Sequence, residues 1–566
     1  MGIMQTQKAD EDLRVLLPNN PFVPPKGDVC FINNLPPELL SRIFEVGSAD
    51  DDSEDEDDMA PDYWLHLLDA KGADGKDTQD SDVEMKRELE DGDEDEEETD
   101  DEEDSDATGS SDFSPSSLSF QTIVSLVCRH WRNVAFSTPF LWTTIEVTPE
   151  ARPPYEPVSM WLQRSKGLPI DICVDCERLE VEPPSNADLK FLFSLLVPHI
   201  HRWRTMEISV EEYRHMYVFL SAVSDPSILA APQLTTLELY HHEETEEFDS
   251  VDTGMSGQLT LFGGSAPLLT RLVLWGVPID WNQPWIASAS NLTDLELAFH
   301  PEDARPSWAQ FDTILRGAST LEKLSLRMSG PSGDPPEWLI EPTPESPADL
   351  NAPIQLPHVT DFILAFHSQA RAIGLLHKFY LPALKNLVLD FDDGDYTEFA
   401  YELAGPATSS SLPSVQEQPR SLLSNLESLK IAGLPCRPEC VETLYGELQN
   451  LTSLNLSLSY LPEAFVNLLC SSRMAAGHYI WLPRLVTLYV SGTSSDVLRE
   501  VVQKRKDAGV PLNSLYVEES CDVDNEDVEW LKENLKTFEF FEGSDDEEVI
   551  DFEDSNEEVD EWSDMD

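Results

Sequence analysis

The sequence predicts an α/β protein in two ordered parts, a small helical unit followed by an irregular strand-and-helix solenoid. Three features of the 566-residue chain support this prediction. Apolar residues at helical spacing flank an acidic segment near the N-terminus, a three-residue apolar unit recurs after residue 200, and the chain ends in a second acidic segment. The predicted parts are a flexible N-terminus (1–27), an interrupted helical unit (28–142), a connecting segment (143–200), the solenoid (201–543) and an acidic tail (544–566).

Negative charge is concentrated in two segments. Residues 50–106 contain 30 acidic and 4 basic side chains, and residues 544–566 contain 13 acidic and no basic ones. Together they carry −39 of the formal net charge of −71. Such segments repel themselves and hold too little apolar surface to fold, so both are predicted to be disordered. The rest of the chain is also acidic, which argues against binding of DNA or RNA, because phosphate contacts require Lys and Arg.

Hydropathy and cysteine content indicate where the protein resides. No run of residues has the length and hydropathy of a membrane span, and the N-terminus lacks a secretory signal pattern. The 8 cysteines are too few over this length for a disulfide framework. We therefore expect a protein of the cytoplasm and/or nucleus with no membrane partner.

The first predicted helix lies within residues 28–46, where Pro36 and Pro37 suit an initial helical turn. Its apolar stripe is formed by Leu39, Leu40, Ile43 and Phe44. Apolar positions at helical spacing return only at residues 120–135, so residues 47–117 are interpreted as a disordered insertion within one helical unit. Loop-closure entropy grows by only ~0.6 kcal/mol per doubling of loop length, so the flanking helices can still meet.

In order along the chain, these residues resemble an F-box. The matching residues are Leu35-Pro36-Pro37-Glu38-Leu39-Leu40, Ile43-Phe44, Leu126-Val127-Cys128-Arg129, Trp131-Arg132, Ala135 and Pro139-Phe140-Leu141-Trp142. The insertion departs from the family, which keeps that turn short. The resemblance implies that the unit docks a Skp-type adaptor and, through it, a cullin within a ubiquitin ligase complex. The adaptor-binding residues that it implies are Leu35, Pro36, Leu39, Leu40, Ile43, Phe44, Leu126, Val127 and Trp131.

The repeated unit has the pattern apolar-x-x-apolar-x-apolar, whose alternating end predicts a short strand with one buried face. Its first residues are Trp203, Leu234, Leu269, Leu292, Leu321, Val359, Leu384, Leu426, Leu451, Leu485 and Leu512. Further strands are predicted at 142–147, 169–174 and 537–541. Helices are predicted at 311–316, 441–448, 463–469, 496–506 and 526–535.

A strand and a helix that recur in this way are similar to the leucine-rich repeat, whose units stack because none can bury its apolar face alone. The positions where that family commonly places Asn to bridge successive units hold His242, Val277, His300, Asp392 and Leu434. The spacing of the units is also irregular. These departures from the family pattern favour an irregular α/β solenoid over a regular horseshoe.

The residue between the last two apolar positions of each unit is expected to point away from the core. This outward row is acidic at its start, apolar in its middle and aromatic at its end, which suits a protein ligand. The residues expected to contact a protein substrate are Glu238, Tyr240, Val273, Trp275, Glu296, Arg327, Lys430, Tyr489 and Tyr516.

The sequence offers little support for catalysis. No phosphate-binding glycine loop, nucleophile elbow or zinc-protease helix is present, so we expect neither catalytic residues nor a cofactor. Cys173 and Cys176 lie far along the chain from Cys436 and Cys440, and no histidine cluster joins them. We therefore expect no metal site.

Two hypotheses for function remain. The first is a substrate receptor in which the F-box docks the adaptor and the repeats bind a protein substrate. The alternative is an acidic leucine-rich-repeat scaffold or chaperone that binds basic proteins such as histones. The first explains both ordered parts, while the second explains the acidic tail.

Overall fold

The structure, a computed structural model, divides into two compact units. The helical unit comprises described residues up to Ser137, and the sheet unit begins at Thr138. The described residues are 32, 35–58, 119–176, 183–228, 230–242, 259–287, 290–339, 351–391, 394–405, 421–456, 464–474, 478–519, 521 and 523–541.

The helical unit contains α1 (Pro37–Asp58), α2 (Phe120–Val127) and α3 (Arg129–Ser137). Its buried apolar side chains are Leu40, Phe44, Val124, Val134 and Ala135. The rings of Phe44 and Trp131 lie 5.1 Å apart, which joins α1 to α3. The predicted apolar spacing therefore brings the three helices around one small core.

The helices differ from their predicted limits in two places. α1 begins at Pro37 and continues to Asp58, so the predicted insertion is helical at its start. High charge opposes burial in a core but not local hydrogen bonding along the backbone, and no proline interrupts this segment after Pro37. The predicted run at 120–135 is two helices, because Cys128 is extended (φ −160°, ψ 171°).

Several predicted segments lie outside the described residues. They are the N-terminus (1–27), the rest of the insertion (59–117) and the acidic tail (544–566).

The sheet unit is built on a parallel sheet of fourteen strands, and the overall class is mixed α/β, as predicted. Each strand pairs in parallel with its neighbour, and the strands follow one another in chain order. They are β1 (Thr144–Val147), β2 (Ile170–Asp175), β3 (Trp203–Val210), β4 (Thr236–His241), β5 (Arg271–Trp275), β6 (Asp294–Ala298), β7 (Lys323–Arg327), β9 (Asp361–Ala365), β11 (Asn386–Asp390), β12 (Ser428–Gly433), β13 (Ser453–Leu456), β16 (Thr487–Val490), β17 (Ser514–Glu518) and β18 (Thr537–Phe541).

Every one of the eleven predicted units provides a strand of this sheet, from β3 to β17. The separately predicted strands at 142–147, 169–174 and 537–541 correspond to β1, β2 and β18. Two shorter pairs lie outside the large sheet: β8 (Ile354–Gln355) with β10 (Phe379–Tyr380), and β14 (Ser472–Met474) with β15 (His478–Ile480).

The core of the sheet unit forms on the inward face of the strands. The second apolar residue of each unit lies in register with its counterpart on the next strand, as Leu237, Leu272 and Leu295 show. These three leucines are fully buried. Burial of leucine-sized side chains contributes about 1.5–3 kcal/mol each, which is the main reason for the stacking of successive strands.

Threonines link neighbouring strands just before they begin. The hydroxyl group of Thr270 donates to the carbonyl oxygen of Thr235 at 3.0 Å, and that of Thr293 donates to the carbonyl oxygen of Thr270 at 3.1 Å. Thr452 donates in the same way to Glu427. Each of these carbonyls also accepts from backbone N–H groups of the next unit, as Thr235 does from Thr270 and Arg271, so the hydroxyl group adds a further bond at the strand entrance.

Helices connect the strands, and five of them were predicted, at 311–316, 441–448, 463–469, 496–506 and 526–535. The connecting helices are α4 (Glu156–Arg164), α5 (Asn186–Leu196), α6 (Tyr213–Val223), α7 (Pro284–Ala287), α8 (Trp308–Gly317), α9 (Gln369–Lys378), α10 (Thr397–Ala404), α11 (Pro438–Glu447), α12 (Ala464–Leu469), α13 (Ser495–Asp507) and α14 (Asn525–Asn534). Across the ranges that the structure describes, no helix has both the length and the apolar character required to cross a membrane.

Candidate protein interfaces

The helical unit exposes a set of large apolar side chains on α1 and α2. Each is between 45% and 61% exposed, although leucine, isoleucine and valine are usually buried. We call this set the apolar patch, and its members are Leu39, Ile43, Val46, Ile123, Leu126 and Val127. A unit this small that leaves so much apolar surface in water is typical of a protein-binding element.

Four of the nine predicted adaptor contacts belong to this patch: Leu39, Ile43, Leu126 and Val127. Pro36 is exposed beside them, and Leu35 and Trp131 are partly buried. The prediction placed Leu40 and Phe44 on the same surface, which is wrong for this structure, because they are 0% and 1% exposed. They face the core because successive residues of an α-helix project about 100° apart, so Leu40 and Phe44 lie on a different side of α1 from Leu39 and Ile43.

The structure adds Val46 and Ile123 to the patch. Val46 lies three residues after Ile43 and seven after Leu39, which is the spacing of one helical face. That spacing could have identified it from the sequence, because the predicted helix already included residue 46. Ile123 belonged to the predicted apolar run on α2, but the sequence did not separate its exposed residues from its buried ones.

The outward row of the sheet has the register that the repeats predict. Each member pairs with its counterpart on the next strand, so the row crosses the sheet without a break between β3 and β17. The row is Glu207, Glu238, Val273, Glu296, Ser325, Ile363, Val388, Lys430, Asn455, Tyr489 and Tyr516. A second row two residues further on contains Tyr240, Trp275 and Arg327 in register with one another.

The middle of this outward face is buried, which corrects five predicted substrate contacts. Tyr240, Val273, Trp275, Glu296 and Arg327 are at most 9% exposed. The other four, Glu238, Lys430, Tyr489 and Tyr516, are partly exposed. The buried residues occupy β4–β7, and the partly exposed ones lie towards the two ends of the row.

Ring packing accounts for part of this burial. Trp275 lies 4.8 Å from the ring of Phe299, 5.9 Å from that of His242 and 6.0 Å from that of Tyr240. The sequence pattern assigns Trp275 to the outward side correctly, but it does not reveal that residues just beyond the strand ends, His242 and Phe299, contact the indole ring. Arg327 and Glu296 form an ion pair on this buried surface, with Nε 3.5 Å from Oε1.

The start of the outward face is acidic. Arg271 binds both Glu238 and Asp294, and Arg204 binds Asp171 with Nε 2.8 Å from Oδ1. Burial, followed by the charge of Glu238, raises the pKa of Glu207 to about 7. A cationic side chain placed beside Glu207 would therefore be favoured, because it would offset the repulsion among these carboxylates.

The end of the outward face is aromatic. The rings of Tyr489 and Tyr516 are stacked, with centroids 4.4 Å apart and planes inclined by 10°. Phe541, on the last strand, lies edge-on to Tyr489 at 6.3 Å. Tyrosine is enriched in protein-binding surfaces because it presents a large rigid ring together with a polar group.

The cysteines considered for metal binding, Cys173 and Cys176, lie in largely buried surroundings. Burial raises the pKa of both Cys173 and Cys176, which disfavours the thiolate that metal binding or nucleophilic attack requires. Within the ranges described, no group of three or more His, Cys, Asp or Glu side chains is arranged to hold a metal ion.

Comparison with known proteins provides no further evidence on these surfaces. No protein-family model matches the chain, and a search of curated proteins gave no match either.

Proposed function

We propose that the chain is the substrate receptor of a Skp-cullin-F-box ubiquitin ligase, in which the helical unit is an F-box and the sheet unit is an irregular leucine-rich-repeat-like solenoid. The observation that carries the proposal is the apolar patch. Its position on α1 and α2 coincides with residues of the F-box pattern, and it requires a partner to remove it from water. The Skp-type adaptor is the partner that the pattern implies, and it would connect the chain to the cullin.

The sheet unit supports the second half of the proposal. Its fourteen parallel strands follow chain order, and equivalent residues lie in register from strand to strand, as stacked repeats require. The partly exposed ends of the outward face, acidic at Glu207 and Glu238 and aromatic at Tyr489 and Tyr516, are the surfaces that we propose for substrate binding. The chain would supply recognition, and bound partners would supply catalysis.

Pull-down of the adaptor tests the proposal. We expect the intact chain to retain the Skp-type adaptor and the cullin, and a Leu39→Asp, Ile43→Asp variant to retain neither, because each charge would be buried without a partner. Leu339→Asp is the matched control, because Leu339 is 63% exposed but belongs to the sheet unit. Failure of the intact chain to bind the adaptor would remove the F-box assignment.

A second candidate, an acidic scaffold or chaperone for basic proteins, is favoured by the carboxylates at the start of the outward face. There, Glu207 lies in register with Glu238, and the pKa of Glu207 is raised. A Glu207→Gln, Glu238→Gln variant should bind histones at least several-fold more weakly if this function is correct. The same variant should still bind the adaptor. Histone binding and adaptor binding of the same proteins therefore distinguish the two candidate functions.

A further inference from the structure

Two arginines converge on a single carboxylate next to the loop that follows β7. Nη1 of Arg305 donates to Oε2 of Glu302 at 2.5 Å, and Nη1 of Arg371 lies 3.5 Å from the same oxygen. The backbone N–H of Gly333 donates to the other oxygen, Oε1. Gly333 has a positive φ of +74°, a conformation that occurs in backbone nests that bind anions. We call Arg305, Arg371 and the Gly333 amide the oxyanion cradle.

Backbone carbonyls fix the orientation of both guanidinium groups. Arg305 donates from Nε to the carbonyl oxygen of His300 at 2.9 Å and from Nη2 to that of Met328 at 2.7 Å. Arg371 donates from Nη1 to the carbonyl oxygen of Gly333 at 2.8 Å. The guanidinium groups are therefore held in place by bonds that do not involve Glu302. A site whose donors are already oriented binds an anion with little further loss of conformational entropy.

Arg371 is held by a second set of contacts. Its Nη2 donates to the carbonyl oxygen of Pro331, and its guanidinium group lies 5.6 Å from the centroid of the Trp338 ring. Trp338 in turn donates from Nε1 to the carbonyl oxygen of Ser332 at 2.9 Å. The loop that contains Gly333 is thus fastened to the same residues that present the positive charge.

Both guanidinium groups of the cradle face the Glu302 carboxylate, in a chain whose formal net charge is −71. The Glu337 carboxylate lies beside Gly333, so a second acidic group adjoins the cradle. Burial and then the charges of Arg371 and Arg305 lower the pKa of His367 to about 3, which is consistent with a positive potential here. The arginine side chains are 11% and 13% exposed, whereas Glu302 is 53% exposed and can turn into solvent.

We propose that the oxyanion cradle binds a phosphate group in place of Glu302, which acts as an internal substitute ligand while the site is empty. A phosphate carries about −1.5 to −2 charges and three acceptor oxygens, so it matches two guanidinium groups and an amide better than one carboxylate does. The cradle lies beyond the C-terminal ends of β6, β7 and β9, the edge at which open parallel sheets commonly bind ligands. The inference does not depend on adaptor binding.

Calorimetric titration of the full chain with inorganic phosphate, at constant ionic strength, tests the inference. We expect Glu302→Ala to bind phosphate at least tenfold more tightly than the wild type, and an additional Arg371→Gln substitution to abolish that gain. Asp527→Ala is the matched control, because it removes the carboxylate that pairs with Arg499, a single arginine. No comparable gain is expected in that variant.

Equal tightening in Glu302→Ala and Asp527→Ala, or none in either, would overturn the inference, because the convergence of two arginines would then have no effect. A parallel titration with O-phospho-L-serine distinguishes the source of the phosphate. Tighter binding of phosphoserine assigns the cradle to a phosphorylated side chain, and tighter binding of inorganic phosphate assigns it to the free ion. If Glu302→Ala does not fold, Glu302→Gln replaces it, with at least threefold tightening expected and no tightening contradicting the inference.

Discussion

His300 and Ser329 are joined by a hydrogen bond of 2.8 Å between Nδ1 and the hydroxyl oxygen, in the interior of the sheet unit. Nε2 of the same ring lies 3.1 Å from the carbonyl oxygen of Val277. Because a carbonyl can only accept, Nε2 carries the proton, and Nδ1 accepts from Ser329. His300 thus links the strand-containing units before and after its own.

Replacement of His300 should alter the response of the protein to acid. Burial lowers the pKa of His300 to about 3 from its ordinary value of 6.5. Between these values the unfolded chain binds a proton that the folded chain does not, so stability falls as the pH falls, by up to ~1.4 kcal/mol per pH unit. His300→Asn keeps a donor and an acceptor but cannot titrate. We expect a smaller loss of the free energy of unfolding between pH 7 and pH 5, measured by urea denaturation.

A second variant separates the proton effect from the hydrogen bonds. His300→Leu removes both bonds and leaves the Val277 carbonyl and the Ser329 hydroxyl buried, so it should lose about 2–5 kcal/mol at pH 7. An acid response of His300→Asn identical to that of the wild type would show that His300 does not contribute to it.

Adjacent residues of α1 should differ in their effect on stability. Phe44 is buried against Trp131, whereas Ile43 is 46% exposed. Phe44→Ala should therefore destabilise the helical unit by about 3–5 kcal/mol, and Ile43→Ala by less than ~1 kcal/mol. Amide hydrogen exchange in α2 and α3 measures the difference. Equal loss of protection in the two variants would mean that Ile43 belongs to the core.

Arg505 should be required for the stability of the sheet unit. It is 0% exposed, and its guanidinium group donates to the carbonyl oxygens of Trp481, Leu482 and Leu485. Arg505→Met would leave these acceptors buried without this partner, at a cost of at least ~3 kcal/mol. Thermal unfolding provides the measurement. The neighbouring Lys506→Met is the control and should stay within ~0.5 kcal/mol, because its hydrogen bond to Asn534 is exposed.

Gly433 should not tolerate a side chain. A Cβ atom added there would lie 2.3 Å from the carbonyl oxygen of Phe391, a backbone atom that cannot rotate away. Gly433→Ala should therefore separate the ends of β11 and β12 and destabilise the protein by about 1–3 kcal/mol. Gly167→Ala, where the added Cβ meets no atom within 4 Å, is the control. Similar unfolding midpoints for both variants in urea would contradict the expected clash.

The strands were predictable because the sheet repeats one simple pattern. Each unit places two apolar residues on the inward face around one outward residue, and this alternation is visible in the sequence at Leu237, Glu238 and Leu239. Parallel pairing then brings equivalent positions together, so the outward row could be named before its register was known.

The helices were less predictable. α6 contains seven buried residues among its eleven, so it lacks the polar face that would reveal a period of 3.6 residues. α10 (Thr397–Ala404) was also not predicted, and five of its eight residues are buried. α13 was predicted because its charged and apolar residues are segregated, with Leu498, Val501 and Val502 buried.

The sequence by itself determined the two-part organisation, the fourteen strands of the sheet and the residues of its outward row, because alternation and helical spacing are local properties of the chain. Only the tertiary structure decided which of those residues remain exposed. Phe44 rather than Ile43 enters the helical core, Trp275 packs against rings from beyond the strand ends, and Arg305 and Arg371, 66 positions apart in the sequence, both approach Glu302. Such exposure depends on atoms that are distant along the chain and are brought together only by folding.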